Sequence, residues 1–158
     1  MNGPGGSKRS IRILLVDCQP SVRRGFKMRL ALEEDLEVMG EACDAAEAIP
    51  LARALLPDVV LMDFEIPGMS CVAATEGLRA AAPHSAVVIF TLRDDAVTRE
   101  RARAAGAASF VAKHRTEELL LAAIREAAAK HGKQGRRDRA AAGREEEHGD
   151  DSRDHRSS

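Results

Sequence analysis

Five short apolar runs, rich in β-branched residues and separated by longer stretches of helical period, set the limits on what this chain can fold into. The runs are Ile11–Val16, Leu36–Ala42, Val59–Met62, Ala86–Thr91 and Ser109–Val111. Most are apolar almost throughout, as strands covered on both faces must be, and strands alternating with helices predict a parallel sheet with crossover helices. The second run alternates Glu37 and Glu41 against Val38 and reads as an edge strand. Right-handed crossovers leave few topologies for five such units. The common one gives a flavodoxin-like three-layer α/β sandwich with strand order 2-1-3-4-5.

Helices are expected over Ser21–Glu34, Asp44–Leu56, Cys71–Ala82, Asp95–Ala105 and Thr116–Lys130. Ser21, Asp44 and Thr116 stand where caps belong, Glu117 and Glu118 suit the positive end of a helix dipole, and Pro57, Pro83 and Gly106 stand where helices should stop. In the last helix Leu119, Leu120, Ala123, Ile124 and Ala127 recur at helical spacing and are expected to dock on the sheet.

Outside this unit the composition changes. Residues 131–158 contain no Val, Ile, Leu, Met or Phe, and a segment that can bury so little is expected to form a disordered charged tail. Residues 1–10 are Gly-rich and polar and read as a flexible N-terminus. The whole chain has 24 Lys+Arg against 25 Asp+Glu, so it lacks the basic excess of a general polyanion binder. No run approaches the roughly 18 apolar residues of a membrane span. Cys18, Cys43 and Cys71 show neither a disulfide framework nor zinc spacing, which fits a cytoplasmic chain.

In an open parallel sheet, ligands bind beyond the carboxyl ends of the strands. Those ends carry Asp17, Asp63, Thr91 and Lys113. Taken singly, each has an ordinary reading as a turn, helix-entry or solvated residue. Together they place two acids, a hydroxyl and an ammonium at one mouth, where paired carboxylates need a cation or a proton beside them.

The blocks IRILLVDCQPSVRRGF at residues 11–26, PDVVLMDFEIPGMS at 57–70, VVIFTLRDD at 87–95 and AAGAASFVAKH at 104–114 resemble the receiver domain of bacterial two-component response regulators, particularly the NarL/FixJ type. The resemblance covers residues 11–130. It implies that Asp63 accepts a phosphoryl group from the histidine of a sensor kinase with Mg²⁺ as cofactor, that Lys113 pairs with the phosphoryl oxygens, and that Thr91 donates its hydroxyl to them. Phe110 takes the place of the switch aromatic; its other reading is a strand residue packed on the last helix. The metal would be held by Asp17, Asp63 and the backbone carbonyl of Glu65. Such a protein is not an enzyme beyond promoting its own phosphotransfer.

The chain departs from that pattern where two adjacent acids are usual, reading Asp17-Cys18, so that a soft thiol replaces an oxygen ligand for a hard cation. Mg²⁺ would then bind more weakly, with Glu65 turning its carboxylate toward it or staying solvated, or the domain would act as a phosphate-independent pseudo-receiver that docks proteins. Cys18 is also the candidate reactive thiol, whereas Cys43 and Cys71 read as small buried hydrophobes. No apolar helical period follows Lys130 to build a helix-turn-helix. Output through a homodimer or an output protein is therefore expected, rather than direct nucleic-acid binding by this chain. A flavodoxin-like electron carrier is disfavoured, because no Gly-rich phosphate loop follows the first strand and no Trp or Tyr is available to flank a flavin.

Overall fold

A computed structural model describes residues 9–113 and 117–131. In chain order it contains β1 (Ile11–Val16), α1 (Pro20–Leu30), β2 (Leu36–Ala42), α2 (Ala45–Leu55), β3 (Val59–Met62), α3 (Cys71–Ala81), β4 (Ala86–Thr91), α4 (Ala96–Ala105) and β5 (Ser109–Ala112). A fifth helix, α5, covers residues 117–131. The strands form one parallel sheet in the order β2-β1-β3-β4-β5, as expected from the βα alternation. The expected cap Thr116, most of the N-terminal segment and residues 132–158 lie outside the described residues. No described helix is long and apolar enough to cross a membrane.

Period-two alternation in the central strands sends side chains to two separate cores. Leu14, Val16, Val60, Met62, Val87 and Ile89 face α2, α3 and α4, while Ile13, Leu15, Val59, Leu61, Ala86 and Val88 face α1 and α5. The small residues Ala45, Ala48 and Ala52 of α2 and Ala74 of α3 are buried in the first core, which lets those helices lie close to the sheet and to each other.

Several boundaries differ from the sequence expectation, each for a local reason. Helix α1 starts at Pro20 rather than Ser21, because proline at the first helical position gives up a donor that has no partner there; Gln19 is the flanking residue and makes no side-chain cap. It ends at Leu30, short of Glu34, where Leu32 N–H to Arg29 and Glu33 N–H to Leu30 replace helical bonds with three-residue turns. Helix α2 continues through Pro50 and stops at Leu56, a left-handed C-cap at φ 49° whose N–H donates to the Ala52 carbonyl. Asp44, Ser70 and Asp95 cap their helices by accepting the N–H of Glu47, Ala73 and Thr98. In α5, Leu119 is 51% exposed and Leu121 is buried in its place, so the docking stripe is rotated from the expected one.

Helix α4 stops at Gly106, whose φ of 101° lies in the left-handed region. A methyl group there would also run into the Arg79 side chain. Gly106→Ala is expected to destabilise the fold by about 1 kcal/mol or more, read as a lower urea midpoint with unchanged slope.

Candidate functional site

The site is built by the backbone register at the carboxyl edge of the sheet. Val16 pairs with Met62, and Asp63 N–H donates to the Val16 carbonyl at 3.0 Å, so the residues after β1 and β3 emerge side by side. Asp17 N–H donates to Ala42 at 3.1 Å, and Lys113 N–H donates to the Thr91 carbonyl at 2.7 Å. Three strand ends thereby deliver two carboxylates and an ammonium to one crevice.

Lys113 Nζ lies 2.9 Å from Asp63 Oδ2 and 3.3 Å from Asp17 Oδ2. The three side chains are only 16%, 13% and 8% exposed, in the order Lys113, Asp63, Asp17. Burial pulls the Lys113 pKa down, but the hydrogen bonds and charges of Asp63 and Asp17 outweigh it and hold the ammonium above its ordinary range. The other carboxylate oxygens are fixed by the chain: Asp17 Oδ1 accepts Gln19 N–H at 2.9 Å and Asp63 Oδ1 accepts Glu65 N–H at 3.0 Å. The ammonium also sits 5.5 Å from the centre of the Phe90 ring, which packs edge-on against Phe26.

Thr91 is fully buried, and its Oγ1 accepts the N–H of Arg93 at 3.2 Å. Its hydroxyl makes no hydrogen bond to Asp63 or Lys113 among the described residues. Phe110 is half-buried on the α4 side of the sheet, with the Arg99 guanidinium 5.2 Å from its ring centre. The reading that packs it on the last helix is corrected by strand alternation, because Val111 is the residue that joins the α5 core.

Arg23 escaped the sequence reading. Its guanidinium donates to the Asp17 carbonyl and, through Nε, to Glu41 Oε1 at 3.1 Å, clamping the turn that presents Asp17. The signal was its place one helical turn after Gln19, at the start of a helix that leaves the site. Glu65 directs its carboxylate to Arg93 Nε, at 2.8 Å.

Asp17, Asp63 and the main-chain oxygen of Glu65 are hard oxygen donors of the kind Mg²⁺ takes, so the residues present fit such an ion that keeps several waters. Cys18, exposed beside them, brings a soft sulfur instead. Among the described residues, the only three Cys, Asp, Glu or His ligand atoms within 4.8 Å of one another belong to Cys43, Asp44 and Glu47, and their contacts are those of the α2 cap. Cys71, by contrast with Cys18, is buried, and burial pushes its thiol up to about 11.

A carboxylate held 2.9 Å from a lysine at the mouth of a parallel sheet is equipped to attack an electrophilic centre whose developing charge the ammonium stabilises. Residues 13–125 match the response regulator receiver domain family. The chain is similar to the uncharacterized transcriptional regulatory protein YxjL of Bacillus subtilis, at 38% identity over 77% of this chain and 56% of that protein. It is also similar to the nitrate/nitrite response regulator NarL of Escherichia coli, at 35% identity over 74% and 54%. Among solved structures it resembles the signal receiver domain of the response regulator NarL from Mycobacterium tuberculosis, with a TM-score of 0.71 and 31% identity over 77% of this chain and 98% of that one. A LuxR-family two-component response regulator from an Aurantimonas species gives a TM-score of 0.73 and 34% identity over 77% and 86%. The chain spans about half the length of the curated relatives it matches. With its sheet order, its strand-end acids and its lysine in place, this chain belongs to the receiver domain family of two-component response regulators, alongside regulators of the NarL type.

Proposed function

We propose that residues 11–130 form a phospho-accepting receiver, with Asp63 taking a phosphoryl group from the phosphohistidine of a sensor kinase. The observation that carries this reading is the Lys113 ammonium within hydrogen-bond reach of both Asp63 and Asp17. An Asp63 oxygen forms the new P–O bond as the P–N bond to the kinase histidine breaks, and the electron pair leaves with the imidazole, which takes up a proton. Lys113 stabilises the phosphoryl oxygens, and Asp17 holds Lys113 in line. Thr91 donates its hydroxyl to the aspartyl phosphate, drawing in the segment of Arg93 and Glu65, and Phe110 follows on the α4 face. Asp17, Asp63 and the Glu65 carbonyl would hold Mg²⁺; when bound, it supplies neutralisation of the transferred oxygens. Signalling then passes to an output protein or a second copy of the domain.

Cys18 favours a second reading, a phosphate-independent docking module, because it removes an acid where the family usually carries one. Incubation with Mg²⁺ and acetyl phosphate, read by intact mass, separates the two. The receiver reading expects one phosphoryl group on the parent chain, its loss in Asp63→Ala, and faster uptake in Cys18→Asp. Uptake only in Cys18→Asp supports the docking module, and uptake in none of the three overturns the phospho-acceptor assignment.

A further inference from the structure

The end of the sheet opposite Asp63 contains a second concave feature, with a cavity of about 190 Å³. It is lined by the start of β1, the loops that enter β3 and β4, and the last residue of α5, it opens to solvent beside Arg9 and His84, and its polar wall is Arg9, Arg12, Asp58, His84, Ser85 and His131. Two of these groups are already committed to the backbone. Asp58 Oδ2 accepts the Arg12 N–H at 2.8 Å, and the Ser85 hydroxyl donates to the Pro57 carbonyl.

The guanidiniums are not so committed. Among the described residues neither Arg9 nor Arg12 has a carboxylate within ion-pair distance; Arg12 reaches only the Leu56 carbonyl, at 3.5 Å. The His131 ring adds further donor capacity, and burial, with the charges of Arg79 and His84 nearby, holds its pKa below the ordinary value. A small cavity with two arginine forks and an imidazole in its wall, and its one acid turned to the backbone, favours negative charge. Its size suits a small group.

We propose that this cavity binds a small tetrahedral dianion of the phosphate class, at a site separate from the phospho-acceptor. The planar arginine fork matches two oxygens of such an ion, and charge-assisted hydrogen bonds to it are stronger than neutral ones. Neither Asp63 nor Lys113 takes part, so the site stands or falls independently of the receiver chemistry.

The test is an amide chemical-shift titration of the full chain with sodium sulfate and, separately, inorganic phosphate, each against sodium chloride at constant ionic strength. Saturable shifts at Arg12, Asp58, Ser85 and His131 are expected with both oxyanions and not with chloride. Arg9→Gln/Arg12→Gln should weaken the affinity by roughly tenfold or more, as the loss of a charged hydrogen bond predicts, while an unchanged amide spectrum shows that the fold persists. Arg12→Lys should retain part of the binding, since it keeps the charge and loses the fork. Equal shifts with chloride, affinity unmoved by the double substitution, or saturable shifts only around Asp63 and Lys113 would each overturn the proposal, the first two leaving an adventitious ion only.

Discussion

Replacing Lys113 by Met is expected to cut phosphoryl uptake at Asp63 by about 100-fold or more, the usual loss when a preorganised donor to a developing oxyanion is removed. Methionine keeps most of the stem length and removes the charge. Asp63 then faces Asp17 with no ammonium between them, and the transferred oxygens lose the cation that lies 2.9 Å from the nucleophile. Uptake from acetyl phosphate under identical Mg²⁺ measures the effect, and parental rates in Lys113→Met would remove the lysine from the reaction.

The same substitution has a signature in the pH dependence of stability. The folded state holds the Lys113 pKa above 10.5, with burial opposing and the two aspartates prevailing. Stabilisation from a raised pKa is complete below the unfolded value and is lost as pH climbs through the folded one. Parent and variant should therefore differ in urea midpoint at neutral pH and converge in strong base. A gap that instead widened above the ordinary lysine range would mean that burial outweighs the aspartates.

The positions that build the site were legible in the sequence because each follows directly on a strand. Once five apolar runs are placed in a parallel sheet, Asp17, Asp63 and Lys113 must leave it at the same edge, and no knowledge of packing is needed. What surrounds them was not legible, because it depends on contacts between segments far apart in the chain. Arg23 finds Glu41 across 18 residues, and Glu65, still exposed to solvent, pairs with Arg93. The face taken by Phe110 follows from the parity of β5, a strand of four residues whose pattern is too short to fix its phase unaided. The end of α1 at Leu30 likewise depends on where β2 must begin, and Ile11 N–H bonded to the Asp35 carbonyl fixes that start.

Helix α5 presents the sharpest case, because Leu119, Leu120 and Leu121 are consecutive and Leu120 fits a docking stripe with either neighbour. Burial resolves the phase: Leu120, Leu121 and Ile124 are 5%, 6% and 0% exposed, against 51% for Leu119. Ile124 joins Ile13, Val88 and Val111 in the core on that face, and Arg125 fastens the helix from outside through Asp35 at 2.8 Å and Glu33 at 3.1 Å. Ile124→Ala removes a methylene and two methyls from a fully buried position and is expected to cost about 2–5 kcal/mol. Leu119→Ala should change stability by no more than about 0.5 kcal/mol, because its side chain already meets water. Denaturant midpoints of these two variants and Leu121→Ala decide the phase. A Leu119→Ala loss as large as that of Leu121→Ala would rotate the helix back to the stripe that spacing alone suggests, and would detach Leu121 from the core beside Phe26 and Phe90.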